Sequence, residues 1–214
     1  MADEQAYITA SASVINKSVS KNGLLLFSDK TKERTGDFLL AAYKHFNMDY
    51  PKFYKMDNLC KLGFVATEIL LNNNRISEKY KPEEVGIVCS NANASLDADI
   101  NYFESVKNIP SPAQFVYTLP NIVIGEISIR HRFKGENAFF VSEKFNEQLM
   151  WWYVKDALNR TQLKACICGW IDCLDEKYEA VLWLVEKKPG ENTLVFNIEH
   201  IHQTYELANG KING

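Results

Sequence analysis

The chain lacks a basic field. Its 24 Lys and Arg are outnumbered by 27 Asp and Glu, for a net charge of -3, whereas a nucleic-acid surface needs clustered cations to displace the counterions of phosphate. Nucleic-acid binding is therefore not expected. No apolar run approaches the roughly 18 residues of a membrane-spanning helix, and the opening MADEQAYITASASVI has neither the positive start nor the continuous apolar stretch of a secretory signal. These absences predict a soluble cytoplasmic protein with no membrane partner. SNANASLDAD at 90–99 is rich in small residues but holds no glycine and no Gly-Lys-Ser/Thr ending, so it is not a phosphate loop. Repeats, low-complexity tracts and long linkers are also missing, and 46% hydrophobic content in 214 residues is enough for one domain with a large core.

Cysteine is present in an odd number, and Cys60, Cys89, Cys166, Cys168 and Cys173 all sit inside apolar runs. That is the pattern of reduced, buried thiols rather than of a spaced disulfide framework. Cys166 and Cys168 share one face of a strand with no His nearby, whereas zinc sites show two separated ligand pairs. No metal and no cofactor are expected. Of the four histidines, His45 and His131 are isolated, and His200 and His202 lie in NIEHIHQTYE, which alternates like a late strand with both imidazoles on one face.

Strand and helix signals alternate, which predicts an α/β layer structure with a mixed sheet inside. Tyr7 to Ile15 reads as the first strand. Phe53 to Leu71 carries Met56, Leu59, Leu62, Gly63, Ala66, Ile69 and Leu70 at helical spacing and stops at Asn72-Asn73-Asn74. Val85 to Cys89 is a short buried strand, and Asp97 to Val106 a helix ended by Ile109-Pro110. Leu119 to Arg130 reads as a helix with Pro120 in its first turn. Phe145 to Leu158 follows as another, with Leu149, Trp152, Tyr153 and Leu158 on its apolar face. Leu163 to Ile171, Ala180 to Glu186 and Thr193 to Ile198 complete three strands. One domain over 1–207 and a disordered tail over 208–214 are predicted.

Several of these segments resemble the β-ketoacyl synthase family. SPAQFVYTLPNIVIGEISIRHRFKGENAFFV, residues 111–141, is similar to the family's Pro-containing loop, helix, Gly-x-Asn turn and short strand, which there delivers a catalytic Cys onto a helix start. YITASASVI looks like the family's first strand. Lys55-Met56-Asp57 matches a phrase that opens its first long helix, VGIVCSNANASLDADINYFES its next strand, loop and helix, and KACICGWIDCLDEKYEAVLWLVEK its returning strands. The resemblance covers about Tyr7 to Lys188 and implies a thiolase-like half fold. Family members usually carry a Gly-Gly pair where this chain has Gly169-Trp170, which puts a close backbone approach there in question.

Two departures bear on function. The nucleophile is expected near Lys144, within Ser142-Glu143-Lys144-Phe145, and a protonated amine cannot replace the thiolate that carries the acyl chain as a thioester. The chain also stops where the first of the family's two similar halves would end, and the second half supplies the catalytic histidines. Condensation by this polypeptide alone is therefore not expected, and no catalytic residue is assigned. The first reading is a non-catalytic subunit, like a chain-length factor, in fatty-acid or polyketide-type chain assembly, as a homodimer or as a heterodimer with a full-length ketosynthase. By resemblance Ala138, Phe139, Phe140 and Val141 form the dimer strand, and Gln114, Phe115 and Tyr117 line an acyl pocket. The second is a module that binds an acyl carrier protein or an acyl-pantetheine group, with Arg130, His131, Arg132 and Lys134 as its basic rim. The third is another enzyme on the same frame, using Glu143, or Asp97 with Asp99, as acid or base.

Overall fold

In the computed structural model, which describes residues 5–107, 109–191 and 193–210, β1 runs Tyr7–Ile15 with Ile8, Ala10, Ala12 and Val14 buried. Two tight turns then build an unpredicted meander. Asn16 and Lys17, both at positive φ, lead into β2 (Ser18–Lys21), and Asn22-Gly23, also at positive φ, leads into β3 (Leu24–Ser28). Two-residue turns of this handedness match the twist of paired strands. Helix α1 (Thr35–His45), also unpredicted, and a 3-10 turn at Pro51–Lys55 come before α2 (Asn58–Leu71). The expected Phe53 to Leu71 helix is thus broken at Asp57, whose side chain accepts the Cys60 N–H at 3.0 Å as the N-cap of α2.

Beyond α2 lie α3 (Ile76–Lys79), β4 (Val85–Asn91), α4 (Leu96–Val106), α5 (Pro112–Phe115) and α6 (Ile122–His131). Helix α6 starts two residues after Pro120 rather than on it. The chain continues through β5 (Asn137–Val141), α7 (Glu147–Arg160), β6 (Ala165–Leu174), β7 (Lys177–Glu186), β8 (Leu194–Val195) and α8 (Ile198–Ala208). The late strand expected at Thr193 to Ile198 shrinks to two residues, because Asn197 caps α8 by accepting the His200 N–H at 2.7 Å. His200 and His202 are therefore helical. Ala208 closes α8 and Asn209 caps it, and residues 211–214 of the expected tail lie outside the described residues.

The sheet order is β3-β2-β1-β7-β6-β4-β5, with β8 pairing the start of β1. Strand β4 runs parallel to β5 and β6, and the other pairs are antiparallel. One face carries α1, α2 and α6 over a core that includes Ala10, Ala12, Val14, Ile87, Ile167 and Leu182. The other carries α7 and α8 over Ile8, Val88, Cys166, Cys168, Trp183 and Val185. Helix α7 buries Met150, Val154, Ala157 and Leu158, while Trp152 of the expected apolar face is 55% exposed. Asn146 caps the helix by accepting the Leu149 N–H at 2.9 Å, so α7 begins at Glu147 rather than at Phe145. Gly169 sits at φ +150, and a Cβ there would lie 2.0 Å from the Val181 carbonyl oxygen. The close approach therefore exists although Trp170 replaces a second glycine.

Candidate functional site: the β5 edge and its flanks

Strand β5 is delivered to the sheet by a backbone contact that excludes side chains. The Gly135 N–H donates to the Val85 carbonyl at 3.1 Å, and a Cβ on Gly135 would lie 2.4 Å from that same oxygen. The Ile87 N–H donates to the Glu136 carbonyl at 3.1 Å, and the Ser142 N–H donates to the Asn91 carbonyl at 2.9 Å. Within β5 the even-numbered residues therefore bond to β4, and the alternation of a parallel ladder turns the N–H and C=O of Asn137, Phe139 and Val141 outward. Among the described residues that edge has no neighbouring strand. The rings of Phe139 and Phe140 go to opposite faces: Phe139 packs on the α2 side, and Phe140 meets Tyr153 at 5.0 Å on the α7 side.

The turn from β5 into α7 carries Ser142, Glu143 and Lys144 and no cysteine. Lys144 and Glu143 are exposed, so the half-buried carboxylate considered for Glu143 is not found. The Ser142 hydroxyl donates to the Lys144 carbonyl at 2.9 Å. Phe145 fills the space at the helix start, buried against Trp183 at 5.5 Å, Trp170 at 6.0 Å and Tyr205 at 4.7 Å. His202 faces Glu147 at 3.1 Å, and His200 Nδ1 lies 2.8 Å from the Val195 carbonyl. All five cysteines are free and buried, and burial pushes their thiols up, that of Cys89 to about 12. Such apolar burial disfavours the thiolate at each of them. Among the described residues no group of His, Cys, Asp and Glu is arranged to hold a metal ion, and no helix is long and apolar enough to cross a membrane.

The segment before α6 divides its three singled-out residues. Tyr117 is buried, with its hydroxyl 3.4 Å from Glu126 Oε1, while Gln114 and Phe115 are exposed, Phe115 lying 5.3 Å from Tyr102. None of the three lines the groove of about 630 Å³ between β1, β2 and α8, whose walls include Ser11, Ser13, Val181 and Leu207. Helix α4 is turned inside out. Asp97 is its buried anchor, accepting the Asp175 N–H at 2.9 Å, while Leu96, Ile100, Phe103 and Val106 are exposed. Sequence reading found this helix but not its orientation, although Leu96, Ile100 and Phe103 recur at helical spacing beside three acids.

Half of the basic cluster at the end of α6 is already engaged. Arg130 binds Glu68 through Nε at 2.9 Å and Nη2 at 3.3 Å, and His131 Nε2 lies 3.2 Å from the same carboxylate. Burial alone would raise the Glu68 carboxyl, but the hydrogen bonds from His131 and Arg130 hold it at about 2. Arg132 and Lys134 remain exposed.

No family model matches the sequence, and no curated protein matches it. Solved structures do. The ishigamide ketosynthase/chain length factor superposes with a TM-score of 0.63 at 14% identity, over 85% of this chain and 62% of that one. A type II polyketide synthase acyl-carrier protein in complex with its ketosynthase gives 0.59 at 13%, over 95% and 65%. A ketosynthase in complex with its chain length factor from Xenorhabdus doucetiae gives 0.53 at 12%, over 87% and 80%. The chain thus has the thiolase-like α/β fold of ketosynthases and chain length factors. It spans 62% and 65% of the first two structures' length.

Proposed function

We propose that the chain is a non-catalytic ketosynthase-like subunit, working in the cytoplasm in fatty-acid or polyketide-type chain assembly by pairing with an active ketosynthase. One observation carries this reading: a β5 edge open to strand addition stands directly beside a helix start plugged by Phe145. Similar solved structures are described as ketosynthases with chain length factors, which supports a partner subunit. Ala138 to Val141 form the pairing strand in this reading. Gln114 and Phe115 reach toward the partner's acyl pocket, and the buried Tyr117 holds their loop against Glu126.

Co-expression with the full-length ketosynthase encoded nearest to it, followed by light-scattering mass, tests the reading. A one-to-one complex is expected. Val141→Pro removes an outward N–H and leaves the β4 ladder intact, since proline is tolerated where an edge strand's N–H faces solvent. That variant should stay folded, with an unchanged circular dichroism spectrum, and bind the ketosynthase at least tenfold more weakly. A homodimer or monomer that ignores the ketosynthase would sink the reading and turn attention to titration with an acyl carrier protein.

A further inference from the structure

Strand β3 closes one end of the sheet, and among the described residues no strand lies beyond it. It carries three consecutive exposed leucines, Leu24 at 70%, Leu25 at 64% and Leu26 at 41%. The run straddles the sheet. Leu24 stands opposite Lys21, whose ammonium donates to the Asn72 carbonyl at the end of α2, and Leu25 stands opposite Ser20, which lines the groove beside α8. A bulge leaves Leu26 without a cross-strand partner. The leucines therefore form a ridge rather than one side of a core. Both ends of the ridge are held in place. Phe27 packs on Phe38 at 5.8 Å and on Phe46 at 6.1 Å. At the turn the Asn22 N–H donates to the Ser11 carbonyl at 2.9 Å, and Asn22 Oδ1 accepts the Ser11 N–H at 2.8 Å.

The charge around the ridge departs from that of the chain. Residues 16–34 hold Lys17, Lys21, Lys30, Lys32 and Arg34 against Asp29 and Glu33, a net charge of +3 in a protein whose net charge is -3. Lys30 and Arg34 are exposed, and Lys17 and Lys32 partly so.

We infer that the β3 edge rests on an anionic membrane surface, with Leu24, Leu25 and Leu26 entering the boundary between headgroups and acyl chains and the flanking cations meeting the lipid charges. The shape and the charge select this occupant. A protein partner would need a groove that closes on both flanks of one strand, whereas the acyl boundary surrounds an inserted side chain on every side. Apolar side chains flanked by Lys and Arg are what anionic lipid interfaces attract, and the cytoplasmic leaflet supplies that charge. The open N–H and C=O groups of β3 set the depth, because they cannot be left dry in hydrocarbon. The backbone stays among hydrated headgroups, and only the side chains enter. Peripheral contact needs no spanning helix, whose absence underlay the expectation of no membrane partner. It also goes beyond the proposed pairing without competing with it: β3 and β5 stand six strand spacings apart in the sheet order, roughly 29 Å.

The test is flotation of the full chain with vesicles of phosphatidylcholine alone and of about three parts phosphatidylcholine to one of phosphatidylserine. Binding to the anionic vesicles should be at least tenfold stronger, and should fall steeply near 1 M salt, where charges are screened beyond about 3 Å. Leu24 and Leu25 point to solvent, so Leu24→Ser/Leu25→Ser should keep the wild-type circular dichroism spectrum and thermal midpoint while floating at least tenfold less. Lys32→Gln/Arg34→Gln should lose the preference for phosphatidylserine. The leucine variant should still bind the full-length ketosynthase with wild-type affinity, so membrane contact and pairing are read separately. A wild type that does not float, or a leucine variant that floats equally well, overturns the inference and leaves the pairing standing. Self-association of the wild type that the leucine variant abolishes, with no flotation, makes the occupant a second copy and overturns it as well.

Discussion

Helices α2 and α4 lie on the same side of the sheet, yet one is written for this molecule and the other against it. Helix α2 buries Leu59, Leu62, Phe64, Val65, Ile69 and Leu70, and it touches β1, β6, β7, α1 and α6. Gly63 allows α6 to come so near that a Cβ would lie 2.4 Å from Val123 Cγ2. Helix α4 buries Asp97 and Ala98 and turns its large apolar residues out. The difference teaches that apolar residues at helical spacing show where a helix has a sticky face, not whether the same chain covers it. In α2 that face is a core; in α4 it is free surface of the kind that mediates association.

Truncation gives the largest contrast. Leu62→Ala should lower the unfolding free energy by about 3 kcal/mol in urea titration, since a fully buried leucine loses both its transfer energy and its packing. Phe103→Ala should change it by no more than about 0.5 kcal/mol. Equal losses would show that α4 is packed like α2 and remove the comparison.

Titration sharpens it, because the two helices carry carboxyls shifted in opposite directions. Glu68 of α2 is held at about 2 by His131 and Arg130 against the pull of burial, so its stabilisation is present above its unfolded value near 4.5 and is lost as pH falls toward about 2. Glu68→Gln should cost about 1 to 2 kcal/mol at neutral pH and flatten stability between pH 5 and 2. Asp97 of α4 is pushed up, first by burial and then by Asp175 and Glu176. Its contribution is therefore full below the unfolded value of 3.8 and lost as pH rises through the folded one. Asp97→Asn keeps the acceptor for the Asp175 N–H, so it should unfold at slightly higher urea than wild type at pH 7, with the gap closing below about pH 4. A gap that widens in acid would contradict a buried, raised Asp97. This is the smallest of the expected effects.

Strong periodicity made α2, β1, β4 and the β6–β7 pair readable, because a long apolar stripe or a clean alternation admits one element type. The β2–β3 meander was missed although Asn22-Gly23 is the dipeptide that favours such turns; its strands are short, and β3 places Leu24, Leu25 and Leu26 in the open, where alternation disappears. Helix α8 was read as a strand because NIEHIH alternates over six residues. Ile198, Ile201, Tyr205 and Ala208 fit a helical turn as well, and the Asn197 cap decides between them. The β5 strand was visible in its aromatic pair after Gly135. Its place at an open edge was not, since that depends on β6 rather than another strand taking the far side of β4.

By itself, the sequence determined what its strongly periodic segments form, which helices have an apolar face, and that five thiols sit in apolar surroundings. These are local properties, set by residue spacing and side-chain chemistry along a few turns of chain. Only the tertiary structure decided which apolar faces are covered. Whether Phe145 fills a cavity or Phe103 meets solvent depends on strands and helices far apart in sequence, and their pairing leaves β3 and β5 at the sheet's edges and one face of α4 open among the described residues.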